Sequence, residues 1–306
     1  MDTHPPYLLT GASGYVGGRL APVLLERGHA LRCLMRNPDP GKIPDGAEAV
    51  KGDAVSGDGL DEALDGVEVA FYLIHSMGRG ADKGADFAAR DREAARNFGR
   101  AAKRAGVRRI IYLGGLPSSN GDSSHHLDSR DETAEILRDF VPELVYARAA
   151  MVLGGESASF EMLHALVTRL PVMITPRWVD IRSQPISIED VIQALAALAE
   201  RDEYVREAHL GGADVLTYRE MMQRFAGAMD RRPPAIWKTP VLSPSLSSHW
   251  VGLVTPVETG LARPLVDGLR SEMIVQTPPP CGINDSPLGF EAGVHAALKE
   301  KDSSSG

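Results

Sequence analysis

Thr10-Gly11-Ala12-Ser13-Gly14-Tyr15-Val16-Gly17 is the stretch that decides the fold of this chain. It joins a short apolar run, Tyr7 to Thr10, read as a strand, to an amphipathic run, Tyr15 to Arg27, read as a helix closed by Gly28. In that setting each glycine has a task. Gly11 permits the tight turn, Gly14 lets the backbone approach a pyrophosphate, and Gly17 lets the helix pack closely on the strand. The amide groups of Ala12, Ser13, Tyr15 and Val16 then lie at the positive end of the helix dipole, facing the phosphates. The competing reading is a glycine-rich turn without a ligand, which the flanking strand and helix disfavour.

Working outward, apolar and amphipathic runs alternate. Ala30 to Arg36 reads as a second strand, Ala47 to Lys51 as a third, and Leu60 to Leu64 as a brief helix. Val67 to Ile74 is the fourth strand, Asp86 to Ala105 a long helix, and Arg109 to Gly114 the fifth strand. A helix over Ser129 to Phe140 precedes a sixth strand, Glu143 to Arg148. Strands alternating with helices predict an α/β fold, a doubly wound parallel (Rossmann) sheet.

Beyond Arg148 the alternation loosens. Ser157 to Leu170 reads as helix, and Ser187/Asp190 and Thr217/Glu220 have capping-box spacing at the starts of two more. Pro233 to Pro287, rich in proline, predicts irregular structure, either one wall of a pocket or a surface extension. The expected division is a dinucleotide-binding domain over 1–155, a smaller substrate lobe interleaved with it over 156–298, and a disordered polar tail over 299–306.

Composition bounds the function. With 41 acidic and 33 basic residues among 306, the net charge of -8 argues against a nucleic acid partner, so any anion needs a local site. Cys33 and Cys281 give neither a disulfide framework nor metal-ligand spacing, and no metal is expected. No apolar run is long enough for a membrane span, and Met1 to Pro6 has no leader pattern, so the expected location is cytoplasmic.

The end of the second strand bears on the dinucleotide. Met35-Arg36-Asn37 carries no carboxylate before Asp39, so Arg36 favours the 2′-phosphate of NADP, with Arg19 or Arg32 as weaker helpers and NAD left open. Asp53 and Ala54, after the third strand, are placed to meet the adenine, although a turn aspartate explains Asp53 equally well.

These features resemble the short-chain dehydrogenase/reductase superfamily, in its atypical, NmrA-like or extended branch of epimerase/dehydratase type. The residues that carry the resemblance are Thr10 to Gly17, Gly52-Asp53, Tyr72 to Ser76, Arg109 to Gly115, Gln184 to Val191 and Gly211 to Glu220. The resemblance implies that Leu73, Ile74, His75, Leu113, Gly114, Gly115, Ala149 and Ala150 also touch the cofactor. It further implies a catalytic serine after the fifth strand and a Tyr-x-x-x-Lys pair on the next helix. This chain departs at both places, offering Gly114-Gly115 and then His126 and Arg130 at the same four-residue spacing. His126 is suited to shuttle a proton near neutral pH, whereas Arg130 stays charged and only binds.

Phe160, His164, Trp178 and Gln184 come from the region that closes over the nicotinamide in the family, with Asp180 and Arg182 as further polar groups. Two readings therefore stand side by side. One is an NAD(P)-dependent oxidoreductase acting on a small apolar carbonyl or quinone-like substrate. The other is a non-catalytic redox sensor or assembly subunit, which would need a protein partner. A sugar-nucleotide epimerase or dehydratase is a weaker third, and the sequence leaves oligomerisation open.

Overall fold

A computed structural model describes residues 5–74, 84–118, 125–175, 177–238 and 271–304. Its centre is β1 (Tyr7–Thr10), four residues buried on both faces because neighbours cover it on each side. Around it run β2 (Leu31–Met35), β3 (Glu48–Lys51), β4 (Val69–Tyr72), β5 (Arg109–Gly115), β6 (Glu143–Ala149) and β11 (Glu207–Leu210). They form one seven-stranded sheet in the order β11-β6-β5-β4-β1-β2-β3, with every pairing parallel. The order reverses between β1 and β4, and such a crevice is where open α/β sheets bind ligands.

Helices cover both faces. On one lie α1 (Tyr15–Glu26) and α6 (Ile188–Glu200), closing a core with Leu9, Leu20, Phe71, Val145 and Leu195. On the other, α2 (Leu60–Leu64), α3 (Gly84–Ala105) and α4 (His125–Phe140) close a second with Leu8, Tyr72, Phe98, Tyr112 and Tyr146. The central strands β1 and β4 are buried along their whole length for this reason: parallel sheets flanked by helices leave no face for water. Arg109 on β5 is a charge that the structure satisfies. Fully buried, it pairs with Glu143 at 3.0 Å and donates to the carbonyls of Leu198, Arg201 and Asp202, tying the start of β5 to the end of α6.

The C-terminal lobe has its own apolar cluster. It is built from α5 (Ala158–Arg169), α7 (Tyr218–Ala228) and α8 (Phe290–Ser304), with short paired strands between them. β7 (Val152–Leu153) pairs with β10 (Ile186–Ser187), and β12 (Leu216–Thr217) with β9 (Arg182–Ser183). Ser157 and Ser187 cap α5 and α6, and Thr217 with Glu220 forms a full capping box on α7.

Three elements differ from the sequence reading. Glu207–Leu210 extends the main sheet by a strand too short to stand out. Ala235–Lys238, inside the stretch expected to be irregular, is strand β13, parallel to β8 (Val172–Thr175), while 239–270 lie outside the described residues. The third difference concerns the polar end. Residues 299–304, expected to be a disordered tail, continue α8, because Glu300 finds partners on other segments.

Candidate functional site

Thr10 prepares the turn that follows it. Its buried hydroxyl donates to the Phe71 carbonyl at 3.0 Å and accepts from the Leu73 amide at 2.8 Å, locking the ends of β1 and β4 side by side. Gly11 then takes φ of +70°, a left-handed conformation that favours glycine, and a Cβ there would lie 3.1 Å from the Leu73 carbonyl oxygen. Gly17 is more constrained still. Its Cβ would sit 2.2 Å from the Gly11 carbonyl oxygen, so only glycine lets α1 approach the turn this closely. Gly14 is the N-cap and offers no side chain to cap the helix, which leaves the amide groups of the first turn to an outside acceptor. Residues from Gly11 to Gly17 thus join a tight turn to an uncapped helix start at the end of β1.

Asp53 and Ala54 follow β3 along the same edge. Asp53 Oδ1 accepts from the Val55 amide at 2.8 Å, so this carboxylate builds its own turn, and Ala54 is buried. The three arginines near β2 differ. Arg32 pairs with Glu48 and donates to the Asp65 carbonyl; Arg19 lies over the Tyr15 ring at 3.8 Å and pairs with Glu300. Only Arg36 among them stays exposed, with no side-chain partner among the described residues.

The ends of β4, β5 and β6 complete the edge. Leu73 and Ile74 are half-buried beside the glycine turn, and His75 lies outside the described residues. The Leu116 amide donates to the Ala149 carbonyl at 3.1 Å and the Ala150 amide to the Leu210 carbonyl at 2.9 Å, so Ala149 and Ala150 are fixed from both neighbouring strands. Leu113, Gly114 and Gly115 pair in register with Ala147, Arg148 and Ala149.

Gly114, where the family places serine, has no space for a side chain: its Cβ would meet Tyr146 Cε2 at 2.3 Å and Tyr146 Oη at 2.4 Å. The Tyr146 hydroxyl donates to Asp131 Oδ1 at 2.9 Å. Desolvation by burial holds its pKa well above the ordinary tyrosine range, so it does not ionise near neutrality. Asp131 also receives Arg148 at 2.8 Å, and Arg148 pairs in turn with Glu207 at 2.6 Å, which bonds His209. This chain of groups braces α4 against β6 and β11. No sequence signal singled out Asp131, because its partners Tyr146 and Arg148 lie on another element, β6.

Arg130 donates to the Leu113 carbonyl at 2.9 Å, so the arginine at the lysine position anchors the end of β5. His126 belongs to the first turn of the same helix, with its side chain outside the described residues.

Most of the lobe residues expected to line a substrate pocket are taken up in this structure by packing or hydrogen bonds. Phe160 is fully buried, with His164 and Phe225 at ring distances of 6.1 and 5.3 Å; it fills the lobe core. Trp178 stands edge-on to Tyr218 at 5.8 Å within the same core. Gln184 spends its amide on structure, donating to the Gly212 carbonyl and accepting from the Val275 amide. Arg182 is committed to Glu272 and Asp180 to Arg219. His164 and Gln184 are half-buried while Asp180 and Arg182 are exposed, and desolvation lowers the His164 pKa below the ordinary histidine value. A polar depression of about 230 Å³ near Arg27, Asp190 and Asp285 shares no residue with the glycine turn. Among the described residues no group of three acidic, histidine or cysteine side chains could hold a metal, and no helix is long and apolar enough to cross a membrane.

Comparison with known proteins agrees with this geometry. Residues 11–151 match the family model described as NAD(P)H-binding. A 3-beta-hydroxysteroid dehydrogenase of Mycolicibacterium neoaurum is 34% identical over 153 residues, 44% of this chain and 42% of the relative, so the match spans less than half of that protein. Among solved structures, a Citrobacter sp. triphenylmethane reductase complexed with NADP(H) superposes with a TM-score of 0.74 at 17% identity, over 95% of this chain and 100% of the other. A UDP-glucuronic acid 4-epimerase of Bacillus cereus holding NAD superposes at 0.70 and 14% identity, over 97% and 99% of the two chains. Residues 11–151 are thus similar to NAD(P)H-binding proteins, and the solved structures share the Rossmann fold over nearly the whole chain.

Proposed function

We propose that this chain holds NADP(H) across Gly11 to Gly17 and serves an oxidoreductase or epimerase/dehydratase-type reaction at the adjoining edge of the sheet. The observation that carries this reading is the filled space at Gly11 and Gly17, which leaves the helix start bare at the phosphate position. Arg36 meets the 2′-phosphate, since Arg19 and Arg32 are paired elsewhere. The bound nicotinamide supplies or accepts a hydride. The chain's own part is to fix the ends of β4, β5 and β6 around it, through Thr10, Arg130 and the amides of Leu116 and Ala150. We assign His126 to proton transfer, from its place one turn before Arg130 on α4.

With Phe160, Trp178 and Gln184 withdrawn into structure, the apolar carbonyl or quinone preference loses its residues. The hydroxysteroid dehydrogenase relative keeps a ring alcohol or its ketone as the substrate class we favour. The test is a turnover panel of hydroxysteroids, ketones, quinones and nucleotide sugars with NADPH or NADP. Cofactor turnover with one class, lost in His126→Ala, is expected; tight binding without turnover across the panel would reject catalysis.

A second reading, a dinucleotide-binding sensor that turns over nothing, is favoured by one specific observation. Tyr146 occupies the space of a side chain at Gly114, and its hydroxyl is committed to Asp131. A protein partner captured by only one redox form of the cofactor would support that reading.

A further inference from the structure

The glycine turn is met from the far end of the chain. Glu300, on the last turns of α8, accepts from the Tyr15 hydroxyl at 3.2 Å and from the Gly155 amide at 2.8 Å through one oxygen, and pairs with Arg19 through the other. Tyr15 and Arg19 occupy the first and second turns of α1, and Arg19 also donates to the Tyr15 carbonyl. The contact is built into the backbone as well. A Cβ at Gly154 would lie 1.8 Å from Tyr15 Oη, and one at Gly155 would lie 2.8 Å from the Ala297 carbonyl oxygen. Two consecutive glycines after β7 therefore make room, one for the tyrosine and one for α8. α8 itself is seated in the lobe core by Phe290, Val294 and Ala297.

From this convergence we propose that Glu300 is a positioning residue of the dinucleotide site, holding Tyr15 and Arg19 so that α8 sets the affinity of the glycine turn for its cofactor. The physical reason is pre-organisation. The amides that face a pyrophosphate belong to the first turn of α1, and a helix terminus without a side-chain cap frays unless something outside it holds the first residues. Glu300 does so from the lobe, and it balances the charge of Arg19 within the same contact.

This inference rests on the assignment of Gly11 to Gly17 to a dinucleotide. It is tested by titrating NADPH into the full-length chain and four variants. Glu300→Ala removes all three contacts and is expected to weaken NADPH binding roughly tenfold, the scale of one lost hydrogen bond to a charged group. Glu300→Gln keeps an acceptor for Tyr15 and Gly155 and should recover most of the affinity. Tyr15→Phe, which removes only the hydroxyl, should weaken binding in the same direction and serves if Glu300→Ala does not fold. Val141→Ala loosens the separate core on the other face of the sheet, away from α8 and the glycine turn; it should lower the melting temperature while leaving the NADPH dissociation constant unchanged. Unaltered affinity in both Glu300→Ala and Tyr15→Phe, or equal weakening by Val141→Ala, would overturn the proposal. A wild-type chain that binds no dinucleotide overturns the assignment of the turn together with it, whereas binding that ignores Glu300 and Tyr15 overturns this proposal alone.

Discussion

The ring of Tyr146 occupies the space that a side chain on Gly114 would need, with Cε2 lying 2.3 Å from the position of a Cβ. Gly114 on β5 pairs with Arg148, and Tyr112 pairs with Tyr146 on β6, so the tyrosine reaches forward along its strand under the glycine. The absent serine is thus a packing consequence as much as a chemical one. Gly114→Ser or Gly114→Ala is expected to destabilise the chain by about 1–3 kcal/mol through overpacking, with no gain of turnover. Urea unfolding checks this, and an unchanged midpoint would mean that Tyr146 moves aside freely.

The glycines of α1 should not be equivalent. At Gly17 an added Cβ meets backbone at 2.2 Å, whereas at Gly18 the nearest contact is 3.4 Å, close to ordinary van der Waals distance. Gly17→Ala is expected to lose both stability and dinucleotide binding, and Gly18→Ala to retain them and gain some helix propensity. Thermal melts of the two variants with and without NADPH distinguish them.

Cofactor preference should turn on Arg36. Its guanidinium is exposed and unpaired among the described residues, while Arg32 is held by Glu48 and the Asp65 carbonyl. Arg36→Glu is expected to weaken NADPH binding by roughly tenfold or more and NADH binding far less. Equal loss of both in parallel titrations would remove Arg36 from the 2′-phosphate.

Acid should loosen the brace between β6 and β11. The hydrogen bond with His209 is the first cause that lowers the Glu207 pKa below its ordinary 4.5, with the Arg148 charge acting the same way and burial opposing both. A carboxylate whose folded pKa is depressed contributes stability that is fully present above 4.5 and is lost as pH falls through the folded value. Glu207→Gln should therefore lose less stability than the wild type on going from neutral pH to below that value. Denaturation midpoints at the two pH values, compared between the two proteins, give the answer; an identical loss in both would contradict the assignment.

Much of the fold was legible because its signals are local. A glycine turn between strand and helix, apolar four-residue strands and helix caps at Ser187 and Thr217 each declare themselves within a few residues. What stayed hidden depends on distant partners. Glu300 sits in a charged stretch that reads as solvated, yet its partner Tyr15 is 285 residues away. Phe160 and Trp178 look the same in sequence whether they face a substrate or a core, and here the cluster around Phe225 and Tyr218 takes them. Thr10 did carry a usable signal, a hydroxyl residue at a strand end directly before the turn, but its role required knowing that β4 lies beside β1.

On the proposed reading, the bare first turn of α1 receives the phosphates of NADP(H). Amide hydrogen exchange of the full-length chain, followed over residues 11–17 with and without saturating NADPH, tests it most directly. Exchange at Tyr15, Val16 and Gly17 is expected to slow markedly when the cofactor is present. NADPH binding that leaves exchange at these three amides unchanged would contradict it.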